Sequence, residues 1–112
     1  AMRVVPRHEF VPEHMKAYSY EDRPLSIGNG QTISQPYIVA FMTSVINPKP
    51  DDRILEIGTG SGYQAAFLAE IVHSVYTIEI IPELAEKAKA KFESLHYSNI
   101  YTSTGDGYHG WP

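Results

Sequence analysis

The sequence has 112 residues, of which 43% are hydrophobic and 20% are charged, and its formal net charge is −4. This length and composition suffice for one globular core, and the negative charge argues weakly against general nucleic-acid binding. The absence of cysteine excludes disulfides and thiolate metal sites, and no apolar run typical of a membrane span or a signal peptide is found, so we expect a soluble, cytoplasmic protein.

The first 35 residues are rich in proline, histidine and aromatic residues. Pro6 and Pro12 limit regular structure between them, because proline lacks a backbone donor and restricts the residue before it. A short helix is predicted over residues 12–18. Arg7 lies between the two prolines, where a cation suits a substrate carboxylate, but a solvated surface position is the simpler interpretation. Residues 25–34 contain two glycines and predict a loop.

A helix is predicted from Gln35 onwards. Pro36 suits its first turn, and the segment Asn47-Pro48-Lys49-Pro50 ends it. Apolar residues recur at helical spacing and predict one apolar face: Ile38, Val39, Phe41, Met42, Val45 and Ile46.

Strands and helices alternate in the second half of the sequence. Strands are predicted at 53–57, 75–80 and 100–104, and helices at 63–72 and from Pro82 onwards. This β-α-β-α-β order predicts a parallel, doubly wound α/β sheet with right-handed crossovers. A ligand crevice is expected beyond the carboxyl ends of the strands. Because the sequence stops after the third strand, we expect it to be the front part of a larger domain.

A turn with three alternating glycines connects the first strand to its helix. Gly58, Gly60 and Gly62 allow steep turns and leave no Cβ between the backbone and a ligand. The N–H groups at the start of the helix offer donors and a positive dipole end. The turn therefore predicts a site for a nucleotide-like molecule. No Gly-Lys-Ser/Thr follows, which excludes a phosphate-binding P-loop.

Three carboxylates lie at or beside the predicted strand ends: Glu56, Glu79 and Asp106. Glu79 follows the glycine turn by about 20 residues, the separation at which an acidic side chain meets a ribose diol. Its alternative role is a solvated charge at the end of a strand. Asp106 suits contact with a base, but Asp within Gly-Asp-Gly is also common turn chemistry.

The spacing Gly58-x-Gly60-x-Gly62, preceded by Glu56, resembles the motif of S-adenosylmethionine-dependent methyltransferases. It departs from the G-x-G-x-x-G of dinucleotide sites. Residues 20–36, which contain Thr-Ile-Ser-Gln-Pro, resemble the signature of protein-L-isoaspartate O-methyltransferases. Residues 5–12, 54–66, 75–82 and 105–112 match the same family in order and spacing. The resemblance covers essentially the whole sequence and implies a Rossmann-like fold.

The resemblance implies a protein-repair enzyme that uses S-adenosyl-L-methionine and releases S-adenosyl-L-homocysteine. Its methyl acceptor would be the α-carboxylate of L-isoaspartyl residues in damaged proteins and peptides. Residues 1–35 would be the N-terminal segment with the catalytic loop, and residues 36–112 the first half of the cofactor-binding sheet. Because the family's domain is longer, the 112 residues alone are expected to be weakly active or inactive. The intact enzyme is expected to be a monomer, without nucleic-acid or membrane partners.

The resemblance also implies roles for individual residues. Ser34 would be the catalytic hydroxyl at the methyl-acceptor site, and Glu79 would hold the ribose hydroxyls. The implied cofactor-binding residues are Thr32, Ile33, Ser34, Glu56, Gly58, Thr59, Gly60, Ser61, Gly62, Glu79, Ile80, Asp106 and Gly107. No metal is predicted, because the five histidines show no ligand spacing.

Ser34 has an alternative role that follows from its position alone. It precedes Gln35-Pro36 and a predicted helix, where a serine side chain commonly caps free N–H groups. Capping and catalysis can coexist in one residue.

Three other functions remain open at this point. The first is an S-adenosylmethionine-binding homologue with another acceptor or an adaptor role. The second is a nicotinamide dehydrogenase, which the missing G-x-G-x-x-G disfavours. The third is a fragment that associates with another copy to cover an open sheet edge.

Overall fold

The structure is a computed structural model that describes residues 4–106. Gly107, one of the residues implied above to bind the cofactor, lies outside that range. Two 3₁₀ helices, Arg7–Phe10 and Glu13–Tyr18, come first. The strands and α-helices then follow in chain order: β1 (Leu25–Gly28), β2 (Gln31–Ile33), α1 (Pro36–Ile46), β3 (Arg53–Ile57), α2 (Tyr63–Ala69), β4 (Ser74–Glu79), α3 (Pro82–Ser94) and β5 (Ile100–Thr104).

The main sheet has the predicted parallel arrangement. Its order is β3-β4-β5, with Ile57 opposite Ile78 and Glu79 opposite Thr104. The predicted bounds of β3 and β5 are confirmed. β4 lies one residue earlier than predicted, and α2 ends at Ala69 rather than Val72. The prediction of a parallel α/β sheet is therefore confirmed for the described residues.

A β-hairpin occupies the segment that was predicted to be a loop, so that prediction is wrong. β1 and β2 pair antiparallel, with Leu25 opposite Ile33. Asn29 and Gly30 connect them, and both have positive φ, at 56° and 70°. Two positive φ angles in a two-residue connection are typical of a type I′ turn, for which Asn-Gly is a preferred sequence. The hairpin buries Leu25, Ile27 and Ile33.

The N-terminal segment packs against the helices of the main sheet. Phe10 lies with its ring centroid 5.8 Å from that of Tyr63 in α2 and 6.4 Å from that of Phe92 in α3. The predicted helix over 12–18 is present as the 3₁₀ helix Glu13–Tyr18. Apolar burial at this junction joins residues 5–33 and the sheet into one core.

Helix α1 spans nearly the predicted residues, but most of its apolar face is exposed. Val39 and Thr43 are its buried residues, and the Thr43 hydroxyl accepts a hydrogen bond from Gln64 Nε2 of α2 at 3.0 Å. The other predicted face residues are exposed, namely Ile38, Phe41, Met42, Val45 and Ile46. The predicted apolar face is therefore present on the helix, but only Val39 of it is buried within the described residues. The pattern marks an apolar stripe, but no described element lies over it.

One face of the main sheet is also partly open. Ile54, Val75 and Ile100 lie in register on the face that packs into the core. Leu55 and Ile57 lie on the other face, because successive side chains of a strand alternate, and both are exposed. No described helix is long and apolar enough to cross a membrane.

Candidate functional site

The end of β4 anchors the loops that follow the other two strands of the main sheet, β3 and β5. The backbone N–H groups of Gly58 and Thr59 donate to the carbonyl oxygen of Ile78 at 2.8 and 3.3 Å. After β5, the N–H of Gly105 donates to the carbonyl oxygen of Glu79 at 2.9 Å. These bonds bring the glycine turn (residues 58–62) and the loop after β5 to one edge of the sheet. It is the edge at which a parallel α/β fold binds its ligands.

Glu79 is buried, with 5% of its surface exposed, and it connects two loops. Its Oε1 accepts from the N–H of Gly60 at 2.7 Å, and its Oε2 accepts from the N–H of Ile81 at 3.0 Å. The alternative role of a solvated charge at a strand end is therefore wrong. Each carboxylate oxygen has two acceptor sites, so both oxygens can still accept a hydrogen bond from a hydroxyl group of a ligand.

A chain of hydroxyl groups lies beneath the glycine turn and ends at Glu56. Thr77 Oγ1 donates to Glu56 Oε1 at 2.7 Å, and Thr59 Oγ1 lies 2.6 Å from Thr77 Oγ1. Because a hydroxyl has one proton to donate, Thr59 donates to Thr77 when Glu56 is ionised. Sequence reasoning missed Thr77, whose inward position in β4 follows from the same alternation that places Val75 and Glu79.

Removal from water raises the pKa of Glu56 to about 7. The hydrogen bond from Thr77 opposes this increase, and the neighbouring Glu79 carboxylate adds to it. The shift is consistent with a carboxylate that has few polar partners in a largely buried position. Glu56 thus supports the turn from below, through Thr77 and Thr59.

The glycines of the turn differ in what surrounds them. An added Cβ at Gly58 or Gly60 would meet nothing within 4 Å, so the space in front of both is open to a ligand. An added Cβ at Gly62 would lie 2.8 Å from Cζ of Phe92. Gly62 also has φ of +93°, which L side chains rarely adopt. Gly62 therefore permits close packing with α3, whereas Gly58 and Gly60 leave open space.

The two hydroxyl residues of the turn differ in burial. Thr59 is buried, and its hydroxyl pairs with that of Thr77. Ser61 Oγ accepts from the N–H of Tyr63 at 3.2 Å and so caps the first turn of α2. Ser61 only accepts in this bond, so its hydroxyl can still donate to a ligand, whereas the N–H groups of Gly58, Thr59, Gly60 and Gly62 donate within the protein.

The acceptor segment, residues 32–34, lies at the end of β2 and just before α1. Thr32 and Ser34 are exposed, whereas the side chain of Ile33 is 3% exposed and packs in the core. The N-terminus of α1 is capped by Asp22, whose Oδ1 accepts from the N–H of Tyr37 at 3.0 Å. The described residues contain no such capping bond from Ser34, so its predicted capping role is not observed. Sequence reasoning missed Asp22, which lies 15 positions from its partner.

Ile80 and Asp106 lie on either side of the Glu79 edge. Ile80 is exposed directly after β4, and Asp106 is exposed two residues after the end of β5. Both side chains are therefore accessible to a ligand held by Glu79. The structure brings these residues to the same sheet edge as the glycine turn, as the strand order predicted.

A pocket of about 530 Å³ opens next to the glycine turn, between the N-terminal segment and α3. Its lining includes Gly60 and Ser61, but neither Glu79 nor Ser34. Lys16 and Lys91 at its wall both pair with Glu9, at 3.9 and 3.1 Å. No group of three or more metal-ligating side chains occurs in residues 4–106.

A parallel β-α-β-α-β sheet with a Gly-x-Gly-x-Gly turn and a carboxylate at the end of the second strand defines the Rossmann-like class of methyltransferases. Comparison with known families makes this more specific. The family model for protein-L-isoaspartate (D-aspartate) O-methyltransferase matches residues 1–112. The chain belongs to this family.

Curated relatives and solved structures agree with this assignment. A protein-L-isoaspartate O-methyltransferase of Nitrosococcus oceani is 62% identical over all 112 residues, which cover 51% of that protein. A solved protein-L-isoaspartate O-methyltransferase superposes with a TM-score of 0.89 at 33% identity, covering 97% of this chain and 37% of the other. The chain thus spans about half the length of the curated relatives it matches.

A second solved structure carries a ligand related to the predicted cofactor. It is a Plasmodium falciparum protein described as a protein-L-isoaspartate O-methyltransferase, in complex with S-adenosyl-L-homocysteine. The TM-score is 0.70 at 25% identity, and the match covers 87% of this chain and 49% of the other.

Proposed function

We propose that the protein binds S-adenosyl-L-methionine and transfers its methyl group to the α-carboxylate of L-isoaspartyl residues in damaged proteins. The observation that carries the proposal is the family match over residues 1–112, which includes the acceptor segment as well as the glycine turn. Isoaspartyl proteins and peptides are then its partners, and the cytoplasm is its location. Nucleic acids and membranes are not among its partners, and the intact enzyme is a monomer.

The cofactor site is proposed at the Glu79 edge of the sheet. Glu79 holds the ribose hydroxyls with the acceptor sites that Gly60 and Ile81 leave free. Gly58 and Gly60 allow the ligand to approach the backbone. Ile80, Asp106 and Gly107 meet the adenine, and Thr32 and Ser34 contact the ligand from the acceptor segment. Four residues support the site without contacting the ligand through their side chains. Ile33 packs in the core, Glu56 and Thr59 belong to the hydrogen-bonded hydroxyl chain, and Gly62 permits close packing with α3.

The transfer makes modest chemical demands on the protein. When bound, S-adenosyl-L-methionine supplies an electrophilic methyl group on a positively charged sulfur. A terminal-type carboxylate with an ordinary pKa of about 3.5 is already ionised at neutral pH, so no general base is required. The residues around the site have to align the acceptor oxygen with the methyl group and exclude water. Ser34, with its hydroxyl free of the helix cap, donates to the acceptor carboxylate.

The proposal is tested with the full-length protein and a pair of peptides that differ only in isoaspartyl versus aspartyl linkage. We expect methyl transfer from labelled S-adenosyl-L-methionine to the isoaspartyl peptide alone. Ser34→Ala should lower kcat by about 10²-fold at unchanged stability, by comparison with other positioned donors at reacting oxygens. Binding of S-adenosyl-L-homocysteine without methylation of either peptide would overturn the repair function and favour a homologue with another acceptor or an adaptor role.

A further inference from the structure

The most deeply buried large side chain in residues 4–106 is a cation, Arg7, which was predicted to be solvated. Only 1% of its surface is exposed, so the prediction is wrong. Its Nε donates to the carbonyl oxygen of Ser19, and its guanidinium carbon lies 4.9 Å from the ring centroid of Tyr63. Nη1 and Nη2 have no hydrogen-bond partner among the described residues. Burying a charge in this way is costly, so its retention calls for an explanation.

On one side, Arg7 contacts the residue that begins the helix behind the glycine turn. Tyr63 is the first residue of α2, is 2% exposed, and donates its N–H to Ser61 Oγ. Its ring also packs edge-on against Phe10 and Phe67. A cation over an aromatic face is attracted by the ring, and this attraction is larger when both are desolvated. Arg7 therefore fixes Tyr63, which immediately follows Gly62.

On the other side, Arg7 holds the turn that leads to Asp22, beside the acceptor loop, by which we mean the acceptor segment (residues 32–34) and the start of α1. Ser19 is buried and ends the second 3₁₀ helix, and its hydroxyl donates to the carbonyl of Lys16 at 2.6 Å. The chain then turns, with the N–H of Glu21 donating to the carbonyl of Tyr18 at 3.0 Å. This turn places Asp22 at the N-terminus of α1, which begins two residues after Ser34.

The electrostatics of Arg7 agree with this position between two elements. Burial lowers the pKa of its guanidinium below the ordinary value, and the neighbouring Tyr63 and Asp22 act in the opposite direction. Both neighbours therefore stabilise the charged form in a place that otherwise disfavours it.

We propose that Arg7 is a positioning residue that couples the Asp22-capped acceptor loop to the glycine turn. The coupling runs from Tyr63 through the guanidinium to the Ser19 carbonyl and the turn that carries Asp22. Arg7 touches neither ligand and acts through the loops that do. The planar guanidinium suits this task, because it stacks on the ring and donates along its edge at the same time. The inference rests on the proposed function only for its kinetic readout, since cofactor binding tests it separately.

The test is a double-mutant cycle in the full-length protein with Arg7→Met, Asp22→Asn and both. Asn keeps an oxygen that can cap α1 but removes the charge. Arg23→Met is the matched control, because Arg23 also lies over a tyrosine ring, 5.1 Å from that of Tyr18, but is half exposed and paired with Glu21. We expect Arg7→Met to raise the Kd of S-adenosyl-L-homocysteine and to lower kcat, each about 5- to 10-fold. Arg23→Met should change neither by more than twofold.

The double variant decides whether the two residues act together. We expect its Kd to rise by clearly less than the product of the two single effects, and Arg7→Lys to recover only part of the loss. Wild-type values for Arg7→Met, or effects of Arg7 and Asp22 that multiply, would overturn the coupling. If Arg7→Met does not fold, the cycle of Arg7→Lys with Asp22→Asn decides by the same criterion. If the wild type binds S-adenosyl-L-homocysteine but methylates no isoaspartyl peptide, the repair function fails while the Kd cycle still decides the coupling.

Discussion

At the scale of single residues, Glu56 links the pH of the solution to the support beneath the glycine turn. When it is ionised, hydrogen bonds run from Thr59 to Thr77 to Glu56. When it is protonated, Glu56 can donate to Thr77, and the whole chain can reverse. Because the pKa of Glu56 is about 7, both forms are populated near neutral pH.

This shift predicts how stability depends on pH. The pKa of Glu56 is higher in the folded protein than its ordinary value of 4.5, so the folded state binds the proton more tightly than the unfolded state. The stabilisation that comes from this tighter proton binding by Glu56 is fully present below pH 4.5 and is lost as the pH rises through 7. In the wild type, Glu56 should lower the free energy of unfolding by about 1–3 kcal/mol between pH 5 and pH 8, and Glu56→Gln should abolish this decrease. Denaturant titrations at both pH values measure this.

The control for this experiment is Glu86→Gln, which changes an exposed carboxylate on α3. It should leave the difference between pH 5 and pH 8 as it is in the wild type. An equally steep decrease in Glu56→Gln would mean that other groups cause the pH dependence.

Gly62 and Gly28 provide a matched pair for the cost of a side chain. Both have φ of +93°, but only at Gly62 would an added Cβ overlap a neighbour, Phe92. Gly28→Ala should cost about 1–2 kcal/mol from backbone strain alone. Gly62→Ala should cost about 2–4 kcal/mol, because the overlap in the core is added to the strain. Thermal or denaturant unfolding compares them, and equal losses would show that Phe92 moves aside at no cost.

At the scale of elements, the cap of α1 separates the roles of Asp22 and Ser34. Asp22→Ala should lower the free energy of unfolding by about 1 kcal/mol, because it removes the acceptor for the N–H of Tyr37. Ser34→Ala should leave stability within about 0.5 kcal/mol of the wild type, since surface changes away from such contacts have small effects. Chemical denaturation of the two variants tests this, and the reverse order of losses would assign the cap to Ser34.

The sequence predicts elements well where local signals and tertiary packing agree. The bounds of β3 and β5 and the start of α3 at Pro82 follow from β-branched runs and from proline at the first helical turn. The hairpin is not predicted, although Asn29-Gly30 is a strong local signal, because glycines at this density fit a loop equally well. The Asp22 cap lies beyond any local pattern, since its partner is 15 positions away.

At the scale of the whole molecule, the site was predicted from the order of the strands. In a parallel sheet, the carboxyl ends of successive strands lie at one edge, so Glu79 and the glycine turn had to be close. The order of the strands does not specify which side chains at this edge face a ligand. Among the residues predicted to bind the cofactor, the Thr59 hydroxyl pairs with Thr77, whereas the Ser61 hydroxyl accepts from Tyr63 and can still donate. Arg7 was misjudged because a lone arginine in a polar segment is usually exposed.

The apolar stripe on α1 predicts association of the 112-residue chain at high concentration. Phe41, Met42 and Val45 are more than half exposed, and large exposed apolar patches favour contacts with other surfaces. We expect the mass measured by light scattering to increase with protein concentration. Val45→Glu should reduce this increase, whereas Ser44→Glu on the same helix should not. A concentration-independent monomer mass would contradict the prediction.

Anchoring at β4 has a consequence for how the site can change over evolution. The glycine turn and the loop after β5 are held by carbonyl oxygens of Ile78 and Glu79, which every amino acid except a disruptive proline would still supply. The side chain of Ile78 can therefore be exchanged while these backbone bonds persist, whereas Gly62 has no room for a side chain. The acceptor loop is held by side chains instead, through Asp22 and Arg7, and Arg7 also contacts Tyr63 behind the glycine turn. Exchange of Ile78 would thus leave the glycine turn in place, whereas a change at Arg7 would be felt in the acceptor loop and the glycine turn together.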